Sequence, residues 1–206
     1  MQPIRDIPFV GGDPALDFVN TAEERGHPEA GDVLLTPADL RLWGRRYGLL
    51  ARSAKLDAAE LERARELREL LYGLFCARAH QRALSERDVV RLGELAAEAF
   101  AAGRFELDEQ GRAGWHWSPS ELATVRHVAV TSAAELLRAG PSPRLKQCPG
   151  DHCGWFFLDA TKRGNRRWCQ MSECGQEAKD ARRRQRRRAG RRGGESSPSA
   201  GGTTLG

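Results

Sequence analysis

Apolar residues recur at spacings of three and four over most of the first 140 positions, the signature of helices with one buried face. Capping residues mark where each helix begins. Gly11-Gly12 makes a turn, Asp13 caps a short helix with Pro14 at its first position, and Leu16 and Val19 share one face. Residues 22–35, with Gly26, Pro28 and Gly31, read as loop. Thr36-Pro37-Ala38-Asp39 is a second start: Thr36 caps and Asp39 returns a hydrogen bond to the cap's own backbone. That helix runs through Trp43 to Tyr47, where Gly48 stops it. Asp57 opens a long helix whose stripe is Leu67, Leu70, Leu71, Leu74 and Phe75. Ser85 opens the next, with Val89, Leu92, Leu95 and Ala96 inward and Gly103 at its end.

The period then changes from near four to two. Phe105-Glu106-Leu107 and Trp115-His116-Trp117 alternate apolar and polar around a glycine-containing turn, which predicts a β-hairpin. Ser118-Pro119-Ser120-Glu121 is a capping box with proline at the first helical position. The helix it predicts buries Leu122, Val125, Val128 or Ala129, Ala133, Leu136 and Leu137 as far as Gly140. Pro141 and Pro143 then mark a boundary. The fold class expected is mainly α. A helical N-terminal domain with a small β-hairpin covers residues 5–140, and a smaller C-terminal module covers 144–189. Residues 193–206 form a tail whose Gly, Ser, Pro and Thr cannot bury enough surface to offset ordering entropy.

Charge separates the same two parts. Residues 1–140 carry 18 Lys/Arg against 22 Asp/Glu, whereas residues 141–206 carry 15 against 6. A basic end on a mildly acidic body points to a polyanion contact localised in the second module. Arginine (29) far outnumbers lysine (4), a bias that genome composition also produces, so the clustering argues more than the count. No apolar run is long enough to cross a bilayer, and Met1 to Asp6 lacks the basic-then-apolar start of a secretory signal. A cytoplasmic protein that does not engage membranes is expected.

In a reducing compartment, paired cysteines point to metal rather than disulfides. Cys148 and Cys153 are separated by four residues, Cys169 and Cys174 by four, and the pairs by fifteen. Two local pairs brought together by a fold make a tetrahedral thiolate site, and one structural Zn²⁺ is the ion such a set holds. An iron–sulfur cluster or a redox pair is the chemical alternative, and a chance set of reduced thiols the bland one. His152 sits beside Cys153, but four thiolates already complete the sphere. Cys76 falls inside a helical pattern as a small core residue. Trp155 to Leu158 reads as a strand and Arg166 to Cys169 as its return. A helix beginning at Cys174 makes the whole a treble-clef-like four-cysteine zinc module ending in a basic helix. Trp155, Phe157 and Trp168 are its expected core, and metal binding supplies most of its stability.

From Lys179 the chain is dominated by arginine, with no helix breaker before Gly190. Lys179, Arg182, Arg183 and Arg186 share a face, and Lys162, Arg163, Arg166 and Arg167 on the preceding turn extend the same surface. Nucleic acid is the expected partner, through phosphate neutralisation and counterion release, with DNA placed ahead of RNA. A solvated basic tail, and a zinc-stabilised protein-interaction module that binds no nucleic acid, are the alternatives.

The combination resembles a known family. Cys148 and Cys153, Trp155 to Asp159, Arg166 to Cys169, Met171 and Cys174-Gly175, followed by a basic run, resemble the CGNR zinc finger. Gly12-Asp13-Pro14-Ala15-Leu16-Asp17-Phe18-Val19-Asn20-Thr21 resembles the opening of the ABATE domain that accompanies that finger. The resemblance implies a bacterial, stress-induced transcription regulator, with RNA binding as the alternative. The chain departs from the family signature in one place: Gln176-Glu177 stands where the family has Asn-Arg, a two-unit change of charge at the start of the basic helix.

For the helical domain two readings are open. In one it senses an unknown small-molecule effector through Asp17, Asn20 and Thr21, with the Trp115 and Trp117 hairpin as a lid. In the other, Asn20 and Thr21 merely cap a helix end and both tryptophans are core. Scattered histidines, and the absence of a Gly-rich phosphate loop or a catalytic motif, argue against an enzyme. An isolated finger reads only a few bases, which favours a homodimer, although no heptad pattern supports one.

Overall fold

The computed structural model describes residues 4–23, 31–151 and 153–194. His152, residues 24–30 of the expected loop at 22–35 and all of the tail beyond residue 194 lie outside the described residues.

Asp13, Thr36, Asp57 and Ser85 cap helices as the sequence predicts. Asp13 Oδ1 accepts from Ala15 N at 2.8 Å and starts α1 (Pro14–Val19). A two-residue ladder follows, β1 (Ala22–Glu23) against β2 (Gly31–Asp32). Thr36 and Asp39 form the reciprocal box at the head of α2 (Pro37–Arg46). Asp57 accepts from Ala59 N and Glu60 N to begin α3 (Ala58–Ala79), and Ser85 caps α4 (Glu86–Ala102).

Beyond α4, β3 (Arg104–Leu107) pairs antiparallel with β4 (Ala113–His116), Phe105 opposite Trp115. Helix α5 (Ala123–Arg138) starts later than the Ser118–Glu121 box predicts, and no side chain caps it. Pro119 O and Ser120 O accept from Ala51 N and Lys55 N of the α2–α3 connection, so these carbonyls are not available to found a helix. Residues 118–125 climb instead through tight turns, and Thr124 Oγ1 donates to Ser118 O at 2.6 Å.

Helix α5 is the hub of the core, packed against α1, α3 and α4. Leu67, Leu71, Leu74 and Phe75 of α3 meet Val125, Ala129, Val130 and Ala133 of α5 in one apolar interior. On α4 the inner face is Leu92, Ala96 and Ala99; Val89, expected inward, is 41% exposed. Trp43 stacks on Tyr47 at 5.0 Å between centroids and meets Phe18 edge-on at 5.8 Å, an aromatic wall beneath α1. Among the buried charges, Glu60, Arg68 and Arg126 are paired with opposite charge. Glu60 accepts from Arg126 Nε at 2.7 Å and Arg63 Nε at 2.8 Å, and Arg68 forks onto Asp32 while also donating to Thr21 Oγ1.

The C-terminal module pairs its strands differently from the sequence pattern. Strand β5 (Leu145–Gln147) precedes the first cysteine pair and is antiparallel to β6 (Phe156–Leu158), with Lys146 opposite Phe157. Residues 166–169 are not a strand, because the Arg166 guanidinium folds inward 4.3 Å over the Phe157 ring and pulls that segment around the loop. Helix α6 (Cys174–Gly194) closes the described chain, passing Gly190 without a break.

Candidate metal centre and basic helix

The β5–β6 hairpin places Cys148 at the end of one strand, and its reverse turn carries Cys153. Cys148 N donates to Trp155 O at 2.7 Å and Cys153 N to Gly150 O at 3.1 Å, closing a tight knuckle. Gly150 keeps this knuckle close to the ligands: a Cβ would lie 3.0 Å from Cys174 Sγ and 3.1 Å from Cys153 Cβ, so the sulfur cluster would have to give. Cys169 arrives from the irregular segment, and Cys174 is the first residue of α6. At Gly175 a Cβ would stand 2.6 Å from Met171 Sδ and 3.2 Å from Trp168 Cδ1, so the exposed Met171 side chain would have to move.

All four sulfurs lie within 4.8 Å of one another, with Cys153 to Cys169 at 3.5 Å and Cys169 to Cys174 at 3.6 Å. A tetrahedral Zn²⁺ with Zn–S near 2.3 Å needs sulfur–sulfur edges of about 3.8 Å. The donor set and its spacing therefore fit one structural zinc. Cys169 N points at Cys148 Sγ from 3.4 Å, the kind of outer contact that fixes a thiolate's orientation. Without metal, hydrogen bonds from Cys153 and Cys169 hold the Cys148 thiol well below the usual thiol range, while the same contact with Cys148 pushes Cys153 and Cys169 above it. Close-packed sulfurs that cannot all ionise together are a site whose thiolates a dication stabilises.

Asp159 organises the loop between β6 and the second cysteine pair. Its carboxylate accepts from Lys146 Nζ (2.7 Å), Thr161 Oγ1 (2.5 Å), Thr161 N (2.9 Å) and Arg166 N (2.8 Å). Burial would raise its pKa, but these donors outweigh it and hold the carboxyl well below the ordinary range.

The predicted basic residues divide into two groups. Lys162, Arg163 and Arg167 are exposed, Arg167 stacked 5.1 Å from the Trp168 ring centre. Lys179, Arg182, Arg183 and Arg186 are exposed on α6, and among the described residues no carboxylate lies within ion-pair distance of them. Arg166 belongs elsewhere. It donates to Trp168 O, Leu158 O, Val10 O and Cys169 O, so it is an internal brace rather than a surface cation. At the departure from the family pattern, Gln176 Nε2 donates to Asp180 Oδ2 at 3.2 Å and Glu177 is exposed in the first turn of α6, where a carboxylate suits the helix dipole.

The residues expected to hold an effector are internal too. Asp17 accepts from Gly11 N at 2.7 Å and from Tyr47 Oη at 3.3 Å, and burial pushes its pKa up to about 6. Thr21 Oγ1 donates to Phe18 O. Asn20 reaches 136 residues along the chain, donating to Phe156 O at 2.9 Å and accepting from Phe156 N at 2.8 Å. Trp117 is anchored through Nε1 to Ala99 O at 2.7 Å, while Trp115 is 41% exposed against Phe100 and Phe105. The tryptophans do not close over Asp17, Asn20 and Thr21. Of the three, Asn20 seats the metal module while Asp17 and Thr21 are held within the helical body, and the reach of Asn20 was not visible from its spacing. Phe156, fully buried against Tyr72 and Phe75, was likewise missed. The uninterrupted run Trp155-Phe156-Phe157-Leu158 was the available signal, because a strand apolar on both faces is buried on both.

These features define a class: a helical body with a four-thiolate zinc finger docked onto it and a cationic helix leaving from the last ligand. Comparison with family models places it further. The ABATE model, described as "Putative stress-induced transcription regulator", matches residues 12–140, and the CGNR zinc finger model matches residues 144–187. The chain belongs to the ABATE family and carries the CGNR finger. No curated protein matches it. Among the described residues no helix is long and apolar enough to cross a membrane.

Proposed function

We propose that the chain is a non-enzymatic, zinc-dependent DNA-binding transcription regulator of the bacterial cytoplasm, whose helical body carries and orients the finger. The observation that supports this most is the exit of α6 from the metal site. Cys174 is both ligand and first helical residue, and Lys179, Arg182, Arg183 and Arg186 follow exposed and without acidic partners among the described residues. A helix of this length extends about 30 Å and fits a DNA major groove, where flanking phosphates meet both sides of it. The zinc holds its first turn, so the arginines are presented at a fixed angle to Lys162, Arg163 and Arg167 rather than on a free peptide.

RNA is the second reading. Exposed Arg184 and Arg187 carry charge beyond the face of Lys179, Arg182, Arg183 and Arg186, which suits a helix surrounded by phosphate in a structured RNA. Titration of the zinc-loaded full chain with duplex DNA and with structured RNA, each over a range of salt, tests both. Duplex DNA is expected to bind more tightly, with a log–log slope of about −0.9 per phosphate neutralised. Tighter RNA binding selects the second reading, and salt-independent or absent binding to both selects a protein-interaction module. An effector, on this reading, binds elsewhere than at Asp17, Asn20 and Thr21. The exposed side chains Phe105, Leu107 and Trp115 are a candidate contact for a homodimer.

A further inference from the structure

A cleft of about 640 Å³ lies where the C-terminus of α3 meets the chain entering the finger, lined by Arg78, Gln81, Arg82, Ser142 and Lys146 among others. Its walls carry three cations and no carboxylate. Lys146 is neutralised from behind by Asp159, but among the described residues no carboxylate pairs with Arg78 or Arg82. Among the described residues, the Arg82 guanidinium donates to the Cys76 sulfur alone, at 3.1 Å. Arg78 Nε is buried with no acceptor among the described residues. The Arg78 guanidinium thus lines the cleft with its Nε unspent on any acceptor among the described residues. The C-terminal dipole of α3 favours cations here, yet it gives Arg78 Nε nothing to bond.

The backbone is strained to build the cleft. Gln81 sits at φ +54, the left-handed position that normally ends a helix on glycine. The turn, with Arg82 N on Ala77 O at 2.7 Å, folds Arg82 back beside Arg78. The cleft is also tied to the finger's basic loop: Lys146, in its wall, holds Gly164 O at 2.7 Å and Arg166 O at 2.9 Å through Nζ, in the loop that carries Lys162 and Arg163.

We propose that this cleft binds a phosphate group, gripped by the Arg78 and Arg82 guanidinium forks. Two sources offer that chemistry: a backbone phosphate of nucleic acid continuing from the finger onto the helical body, or a free phosphorylated ligand. The first rests on the function proposed above; the second does not.

The test uses the zinc-loaded full chain and the double variant Arg78→Gln/Arg82→Gln, with the exposed pair Arg52→Gln/Arg104→Gln as a control of equal charge change away from the cleft. Inorganic phosphate is compared with chloride at matched ionic strength by thermal unfolding, and duplex DNA affinity is measured against salt. If the backbone is the source, the cleft variant loses about tenfold in DNA affinity per lost contact at 0.1 M salt, and its slope falls by about 0.9 per contact; the control does not. If a free ligand is the source, phosphate raises the wild-type melting temperature more than the variant's, and the DNA slope is unchanged. The proposal is overturned if phosphate stabilises wild type and variant equally and DNA affinity is unaltered, or if the control behaves as the cleft variant does. Should the glutamine variant not fold, Arg78→Lys/Arg82→Lys keeps the charge, removes the fork, and is read by the same two measurements.

Discussion

Asn20 and Phe156 are joined by a reciprocal pair of hydrogen bonds, one amide side chain satisfying both the N–H and the C=O of a buried strand residue. The side chain thereby stands in for a neighbouring strand at the edge of β6. Leu158 N donates to Gly11 O at 2.8 Å and Arg166 Nη2 to Val10 O at 3.0 Å, extending the seam. Below it the Phe156 ring packs on Tyr72 and Phe75 of α3. The finger's core and the helical core are thus one apolar cluster. The Asp13–Thr21 stretch that opens the ABATE match is, in this chain, the socket for the finger.

Asn20→Ala is the direct test of that socket. It removes both partners and leaves two buried backbone groups of Phe156 unsatisfied, at about 1–3 kcal/mol each. Denaturant unfolding is expected to show a loss of about 2–5 kcal/mol. A loss under about 1 kcal/mol would mean that water replaces the amide and that the socket is not tight.

Metal removal is expected to reach beyond the finger. Because Phe156 and Phe157 are buried in the common core, a finger without zinc withdraws apolar surface from α3 as well. Chelation, or Cys169→Ser, should lower the unfolding midpoint of the helical signal from α1–α5, in a single transition. Cys76→Ser, whose sulfur lies outside the cluster, should retain one zinc per chain by atomic emission. An unchanged helical midpoint after chelation would separate the two modules energetically.

Local chemistry made much of this architecture legible in sequence. Asp13, Thr36, Asp57 and Ser85 are caps whose partners lie within three residues, so each start was readable. The four cysteines were readable because tetrahedral coordination needs two local pairs. What stayed hidden is long-range. The Ser118–Glu121 box looks complete, yet its carbonyls answer to Ala51 and Lys55. The strand partner of Phe156–Leu158 is β5 rather than residues 166–169, because Arg166 folds over Phe157. Arg166 itself was indistinguishable from its exposed neighbour Arg167 until its four carbonyl acceptors were visible.

Asp17 predicts a pH dependence of definite sign. Burial raises its folded pKa from 3.8 to about 6, so between those values the folded state binds more proton than the unfolded one. Its contribution to stability is fully present below about pH 4 and is lost as pH rises through about 6. At neutral pH the buried carboxylate therefore costs on the order of 3 kcal/mol relative to its protonated form. The substitution Asp17→Asn keeps an oxygen for Gly11 N without the charge. Relative to wild type, the variant is expected to gain about 1–2 kcal/mol between about pH 5 and pH 7.5 in urea unfolding. Taking the difference cancels the protonation of the zinc thiolates, which both proteins share. A pH-independent difference would show that Asp17 is not protonated in the folded state near pH 5.

Arginines of the same module should fail in opposite ways. Arg166 donates to four carbonyls, that of Cys169 at 2.6 Å, and covers Phe157 at 4.3 Å. Arg166→Gln is expected to lose about 2–4 kcal/mol of stability, as charged hydrogen bonds to buried carbonyls are withdrawn, and to weaken zinc retention. Arg182, Arg183 and Arg186 make no contact that holds the fold, so replacing all three with glutamine should leave the melting temperature and zinc content unchanged. DNA affinity should fall instead, with the salt slope smaller by up to about 2.7 if each meets one phosphate. Unfolding and salt-dependent binding, measured on both variants, separate the two roles. If the triple variant melts early, or if Arg166→Gln is stable but binds weakly, the division between brace and contact is wrong.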